Sequence, residues 1–219
     1  MPFPPPLASN ADEERRWNAV VIGNWNPAIL TPRGIARRLF GLSGADKVLI
    51  GVPTDMIAPL KVSYEKMTVI VDNRQLVVEA PENNFAGLER AMTIAREAIA
   101  ELPQTPFVAA GYNIWLEAPP DFAPFGQLWT SRCDERLVQD GCDIQSRSLS
   151  REIKHGDGSI TFGIIQQAQQ KYSVLLNFHR KSEDSPELRK WFMATPTEIE
   201  EGALKALLAF TDTQTAGAK

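Results

Sequence analysis

The chain has 219 residues, 43% of them hydrophobic and 23% charged, with a formal net charge of −4. That composition is ordinary for a globular protein with a sizeable core, and its acidity argues against a dedicated nucleic-acid binder, which needs excess Lys and Arg facing phosphate. Two cysteines, Cys133 and Cys142, exclude a disulfide scaffold, and no run approaches the roughly 20 apolar residues of a bilayer span.

Residues 1–16 open on Met1-Pro2-Phe3-Pro4-Pro5-Pro6-Leu7 and continue polar, which predicts a flexible proline-rich arm. No basic stretch leads into an apolar one there, and no N-x-S/T acceptor occurs, so a cytoplasmic setting is expected. Ala19–Ile22 reads as a strand. Thr31-Pro32 then starts a helix, with Thr as cap and Pro at the first position, and Gly41 ends it. Val48–Val52 and Lys61–Val71 read as extended, the second turning at Asp72-Asn73-Arg74 into Gln75–Ala80. From Phe85 to Leu102, the apolar residues Phe85, Leu88, Met92, Ala95, Ile99 and Leu102 fall three or four apart, which predicts an amphipathic helix.

A second series follows. It comprises a strand over Phe107–Glu117, a helix over Phe122–Val138, and strands over Asp143–Lys154, Ile160–Ala168 and Tyr172–His179. After a polar excursion, Thr195-Pro196-Thr197-Glu198 has capping-box spacing and opens a last helix. Both series open on an apolar run that meets a glycine, an aromatic and an asparagine: Gly23-Asn24-Trp25-Asn26 and Gly111-Tyr112-Asn113. The predicted class is α+β: pseudo-duplicated strand-helix-three-strand-helix units, a mostly antiparallel sheet backed by helices. The first repeat would span 17–104 and the second 105–210, with a disordered tail at 211–219.

Motifs for common chemistries are absent. There is no G-x-S-x-G, no Walker loop, no G-x-G-x-x-G and no H-E-x-x-H. Ser63-Tyr64-Glu65-Lys66 matches S-x-x-K, but in a strand its ends face opposite ways. His155, His179 and the two cysteines lack metal-site spacing, and the carboxylates at Asp134-Glu135 and Asp140–Asp143 read as solvated. No catalytic, cofactor or metal residue is therefore assigned. Trp191-Phe192-Met193, set in a polar stretch, is the candidate for an exposed apolar contact with a protein partner. Arg147, Arg151 and Lys154 on one strand, with Tyr112 and Trp115 to stack bases, form the alternative nucleic-acid set.

The hairpin Met67–Val71 to Leu76–Ala80, the helix Phe85–Leu102 and the strand Val108-Ala109-Ala110-Gly111-Tyr112-Asn113 resemble a sporadically distributed family of uncharacterised bacterial proteins. The resemblance concerns element order over about three quarters of the chain. It implies the fold, and a scattered distribution suggestive of mobile genes, but no catalytic residues. The leading expectation is a non-catalytic protein-interaction or assembly protein, self-association included, in a mobile-element or phage-conflict (antiviral defence) system. Nucleic-acid or nucleotide binding comes second, and an enzyme of undetected type third.

Overall fold

A computed structural model describes residues 8–9, 15–43, 46–51, 59–126, 128, 132–167 and 171–211. In chain order the elements are β1 (Ala8–Ser9), β2 (Asn18–Gly23), α1 (Pro32–Arg38), β3 (Leu49–Gly51), β4 (Leu60–Tyr64), β5 (Met67–Val71), β6 (Gln75–Glu79) and α2 (Phe85–Glu101). There follow β7 (Phe107–Ala118), α3 (Ala123–Gly126), α4 (Arg132–Gln139), β8 (Ser146–His155), β9 (Gly158–Gln167), β10 (Tyr172–Lys181), α5 (Ser185–Trp191) and α6 (Pro196–Thr211). The strands form one sheet in the order β3-β4-β5-β6-β2-β7-β10-β9-β8, with β1 on β7. Every strand pairing described is antiparallel, so the fold is α+β with a sheet backed by helices.

Register makes one face the core. Val62, Val69, Val78, Ala19, Tyr112, Phe178 and Ile160 are successive cross-strand partners from β4 to β9. All seven are buried. Side chains alternate between faces along a strand, so the neighbours of this row point the other way. Helix α2 lies on β2 and β6, and α5 on β7 and β10, all on the buried side. Each fully buried Val, Leu, Ile or Phe contributes roughly 1.5–3 kcal/mol, so this layer dominates stability.

The helix ends follow local rules. The Thr31 hydroxyl accepts from the Gly34 N–H at 3.1 Å, and the Asn84 side chain from the Gly87 N–H at 2.7 Å. At α6 the Glu198 carboxylate accepts from the Thr195 N–H at 2.8 Å, while the Glu198 N–H donates back to the Thr195 hydroxyl at 3.3 Å. That reciprocity is the capping box its spacing predicts.

Several expectations need correction. Lys61–Val71 is two strands, because the chain reverses at Glu65 and Lys66, whose φ angles are 47° and 66°. A two-residue hairpin turn with both φ angles positive ordinarily carries Asn or Gly, so Glu-Lys gave no turn signal. Phe122–Val138 is not one helix but α3 and α4. Phe125 is pinned between Phe122 and Tyr172, its ring edge-on to both at 4.8 and 5.4 Å. The polar excursion after β10 contains α5, which buries Leu188. Within the arm, Ala8 and Ser9 pair with Glu117 and Leu116, and residues 1–7 and 10–14 lie outside the described residues. In the tail, Thr211 is the last residue of α6, and 212–219 are likewise outside.

The shared glycine-aromatic-asparagine string occupies different places in the two series. Gly23 closes β2 beside a register shift, whereas Gly111 sits in the middle of β7. A Cβ on Gly111 would stand 2.5 Å from the Phe178 carbonyl oxygen, so close strand approach requires glycine there.

Candidate functional site

Two regions can do more than hold the fold together: the face of the sheet that none of the described helices covers, and a cleft at the tip of the β8–β9 hairpin. The first follows directly from strand alternation. Asn18, Asn113 and Asn177 are cross-strand partners on the face away from the helices. The Asn113 amide donates to the Asn18 carbonyl oxygen at 2.8 Å, and the Asn177 amide to that of Asn113 at 2.7 Å. The Asn18 amide continues the chain to the Arg16 carbonyl at 2.9 Å. This polar ladder crosses the middle of the sheet.

Apolar residues flank it. Val20, Val77, Ile70 and Leu175 are half-buried, and Ile22 and Ile165 are more exposed. The Arg15 guanidinium lies 5.5 Å from the Trp115 ring centroid and donates to the Ser173 hydroxyl on the same face. Further along, His179 approaches Glu152 at 3.3 Å through Nε2, while its Nδ1 is buried without a partner among the described residues.

The cleft has a volume of about 500 Å³. The β8–β9 hairpin brings His155 and Asp157 to it, β10 brings Arg180, α5 brings Glu187, Lys190 and Trp191, and the start of α6 brings Glu198. Tyr112 of β7 forms its floor. The turn is tight because His155 pairs with Gly158, leaving Gly156 at φ 55° and Asp157 as the loop. A side chain on Gly158 would collide with the His179 carbonyl and with the Trp191 ring, so this glycine gives the indole its seat.

Arg180 donates to Glu187 at 2.7 Å and to the Asp157 carbonyl, and the Ser182 hydroxyl also donates to Glu187, at 2.9 Å. The Arg180 and Ser182 hydrogen bonds hold the Glu187 carboxyl below its ordinary range. Burial, with the Glu198 charge adding to it, pushes the Tyr112 phenol well above its ordinary value, so it stays protonated. Burial, and then the nearby Lys205 charge, pulls the His155 imidazole below its ordinary value, which favours the neutral form at pH 7. The Trp191 Nε1–H is buried with no acceptor among the described residues.

The residues singled out from sequence divide between these regions and the core. Of Trp191-Phe192-Met193, only Met193 is well exposed, at 63%. Phe192 is buried, and Trp191 packs on Tyr112 with ring centroids 6.4 Å apart. Helix α5 causes this, since it turns Leu188 and Phe192 toward the core. The nucleic-acid set is also split. Arg147 and Arg151 register with Gln166 and Phe162 on the helix-bearing face, as Tyr112 does, whereas Lys154 and Trp115 belong to the open face. Arg147 is held by Asp134 of α4 at 2.8 Å, and Arg151 folds back onto the Ser150 carbonyl at 2.8 Å.

Ser63 bonds to the Thr68 hydroxyl at 2.9 Å, and Lys66 lies in the turn, so S-x-x-K forms no pair. Among the described residues, no group of three His, Cys, Asp or Glu is placed to hold a metal, and no helix is long and apolar enough to cross a membrane. The asparagine ladder and the convergence on the cleft were missed from sequence. Asparagine is depleted in strand interiors, so Asn113 and Asn177 within apolar strands were the available hint. No protein-family model matches the chain, and no curated protein matches it.

Proposed function

We propose that this is a non-catalytic binding protein whose uncovered sheet face receives a protein partner, a second copy of the chain being the first to test. The observation that carries this reading is the continuous face opposite the helices, with half-buried aliphatic residues on both sides of the Asn18–Asn113–Asn177 ladder. We further infer that the two series are a duplicated unit. In support, β2 is followed outward by β6, β5 and β4, and β7 by β10, β9 and β8, so each series places its last strand beside its first. The mobile-element setting rests on the family resemblance alone.

Charge favours a protein over nucleic acid as the partner. The whole chain carries a net charge of −4. On the open face Lys171 pairs with Glu117 at 3.1 Å, Arg15 is engaged by Trp115 and Ser173, and Lys61, Lys154 and Lys181 stand on three separate strands rather than in one patch. A phosphate-binding surface needs a clear cationic excess. The test is light scattering over a concentration series, with partner capture, for the wild type and for Ile22→Asp and Ile165→Asp. Both positions are exposed enough to accept a charge without unfolding. Association that both variants abolish is the expected result. A wild type that stays monomeric, and captures no protein whose binding depends on these residues, overturns the reading.

A further inference from the structure

The two ends of the sheet are finished differently. At one end it stops with β3, three residues long. At the other it stops with β8, ten residues long, which runs along β9 from Ser146 to His155 without a shift in register and contains neither Pro nor Gly. An exposed edge offers N–H and C=O groups to another strand, and proteins blunt it by shortening it, bulging it or placing Pro in it. β8 carries none of those three devices.

The turn decides which groups are free. His155 and Gly158 close a two-residue loop, so they exchange hydrogen bonds, and alternate residues back along β8 face β9 in the same way. Ser146, Ser148, Ser150, Glu152 and Lys154 therefore turn their N–H and C=O groups outward. The Arg151 guanidinium agrees with that direction, since it donates at 2.8 Å to the Ser150 carbonyl, which β9 leaves open. Among the described residues, no strand pairs with this edge.

Charge selects the occupant. The chain is net −4, yet β8 carries Arg147, Arg151 and Lys154 against Glu152. Arg147 is taken up by Asp134, and Glu152 approaches His179. Arg151 and Lys154 are exposed, and neither has an ion-pair partner among the described residues. Three residues apart on a strand, they point to opposite faces. A second β8 is the poorer fit. Antiparallel self-pairing over most of the strand centres on Ser150 or Arg151, which sets the two Arg151 side chains diagonal or directly opposite, where like charges repel.

We propose that β8 is a docking edge that takes an extended acidic segment of another protein as an added antiparallel strand. One carboxylate stands opposite Arg151 and a second opposite Lys154, with apolar side chains opposite the half-buried Leu149 and Ile153. The incoming strand takes over the Ser150 carbonyl and frees the Arg151 guanidinium for its carboxylate. This edge is separate from the open face, and neither reading depends on the other.

The test uses the full chain, isotope-labelled, with the capped peptide Thr-Asp-Val-Thr-Glu-Thr-Val-Thr and a counterpart carrying Lys for both acids. Binding slows amide exchange at Ser148, Ser150 and Glu152, whereas Leu149, Arg151 and Ile153 are protected by β9 already. The Lys peptide binds roughly tenfold more weakly or worse. Ser150→Pro removes an outward N–H at no cost to the β9 ladder, so it keeps its melting temperature and loses roughly tenfold in affinity. Arg151→Glu combined with Lys154→Glu changes exposed side chains only, and it reverses the preference between the peptides. Ile22→Asp, on the open face, leaves peptide binding unchanged. The proposal is overturned by no saturable binding, by equal binding of the two peptides, by slowed exchange that does not alternate, or by unchanged affinity in folded Ser150→Pro. Unreversed preference in the double variant, or binding lost in Ile22→Asp, overturns it as well.

Discussion

The tips of the β4–β5 and β8–β9 hairpins occupy like places in the sheet but meet different surroundings. At the first, Tyr64 ends its strand, Phe40 from beyond α1 packs against it at 5.8 Å, and Arg90 of α2 pairs with Glu65 at 3.5 Å. About 290 Å³ is left, lined by Phe40, Tyr64, Met67 and Ile94 among others. At the second, His155 ends its strand, and α5 and the start of α6 stand over the turn around about 500 Å³. Both hairpins have two loop residues, although both of them hold positive φ at the first and only Gly156 does at the second. What differs is the neighbour that arrives: Phe40 closes directly on the tip residue, whereas Trp191 rests on Tyr112. A hairpin tip thus becomes packing or cleft according to the helix delivered to it.

The largest effect should come from testing how α5 is anchored. Phe192→Ala is expected to cost about 3–4 kcal/mol in urea denaturation, because it empties a buried ring site, whereas Met193→Ala should stay within about 0.5 kcal/mol. Equal costs would mean that α5 does not dock through Phe192, and the account of the cleft would change with it.

The turns themselves come next. Glu65 and Lys66 hold positive φ without glycine, so replacing the pair with Asn-Gly should raise stability by about 1 kcal/mol. Gly156→Ala should lower it by a similar amount, because that glycine stands at φ 55°. Thermal melts decide both. Changes of the same sign would remove the contrast between a tolerated turn and a glycine-dependent one.

The smallest effect is pH-dependent and belongs to the second tip, since Tyr64 stands at the first. The folded His155 takes up a proton at lower pH than the unfolded chain does. As pH falls below the ordinary histidine range, the unfolded state binds the proton first, and stability declines until the folded pKa is passed. Urea midpoints between about pH 7 and about pH 5 should therefore fall more steeply for wild type than for His155→Gln. Parallel profiles would mean that His155 is no more desolvated in the fold than out of it.

How much could be read in advance varied with how local the cause was. The α1 and α6 starts were legible because a cap and its N–H partner lie three residues apart, Thr31 to Gly34 and Thr195 to Glu198, and α2 was legible because its apolar residues recur three or four apart. Strand faces in β9 and β10 were legible because alternation is carried by adjacent residues. The β4–β5 turn was not, since its positive φ angles fall on residues that do not demand them. Nor was α5, whose short apolar set, Leu188 and Phe192, has meaning only against a sheet already in place.

Local sequence therefore determined the α+β class, the long helices and the side of each strand that meets them, because period and capping act over a few residues. Tertiary structure alone decided which strands outside the consecutive hairpins stand side by side: β2 between β6 and β7, and β10 against β7. That choice brought Asn18, Asn113 and Asn177 into one ladder, put Arg147 beside Asp134, and gathered His155, Arg180, Trp191 and Glu198 around Tyr112. The bonded partners lie from 13 to 95 residues apart in the chain, and only strand register and helix docking set the distances over which their hydrogen bonds and charges act.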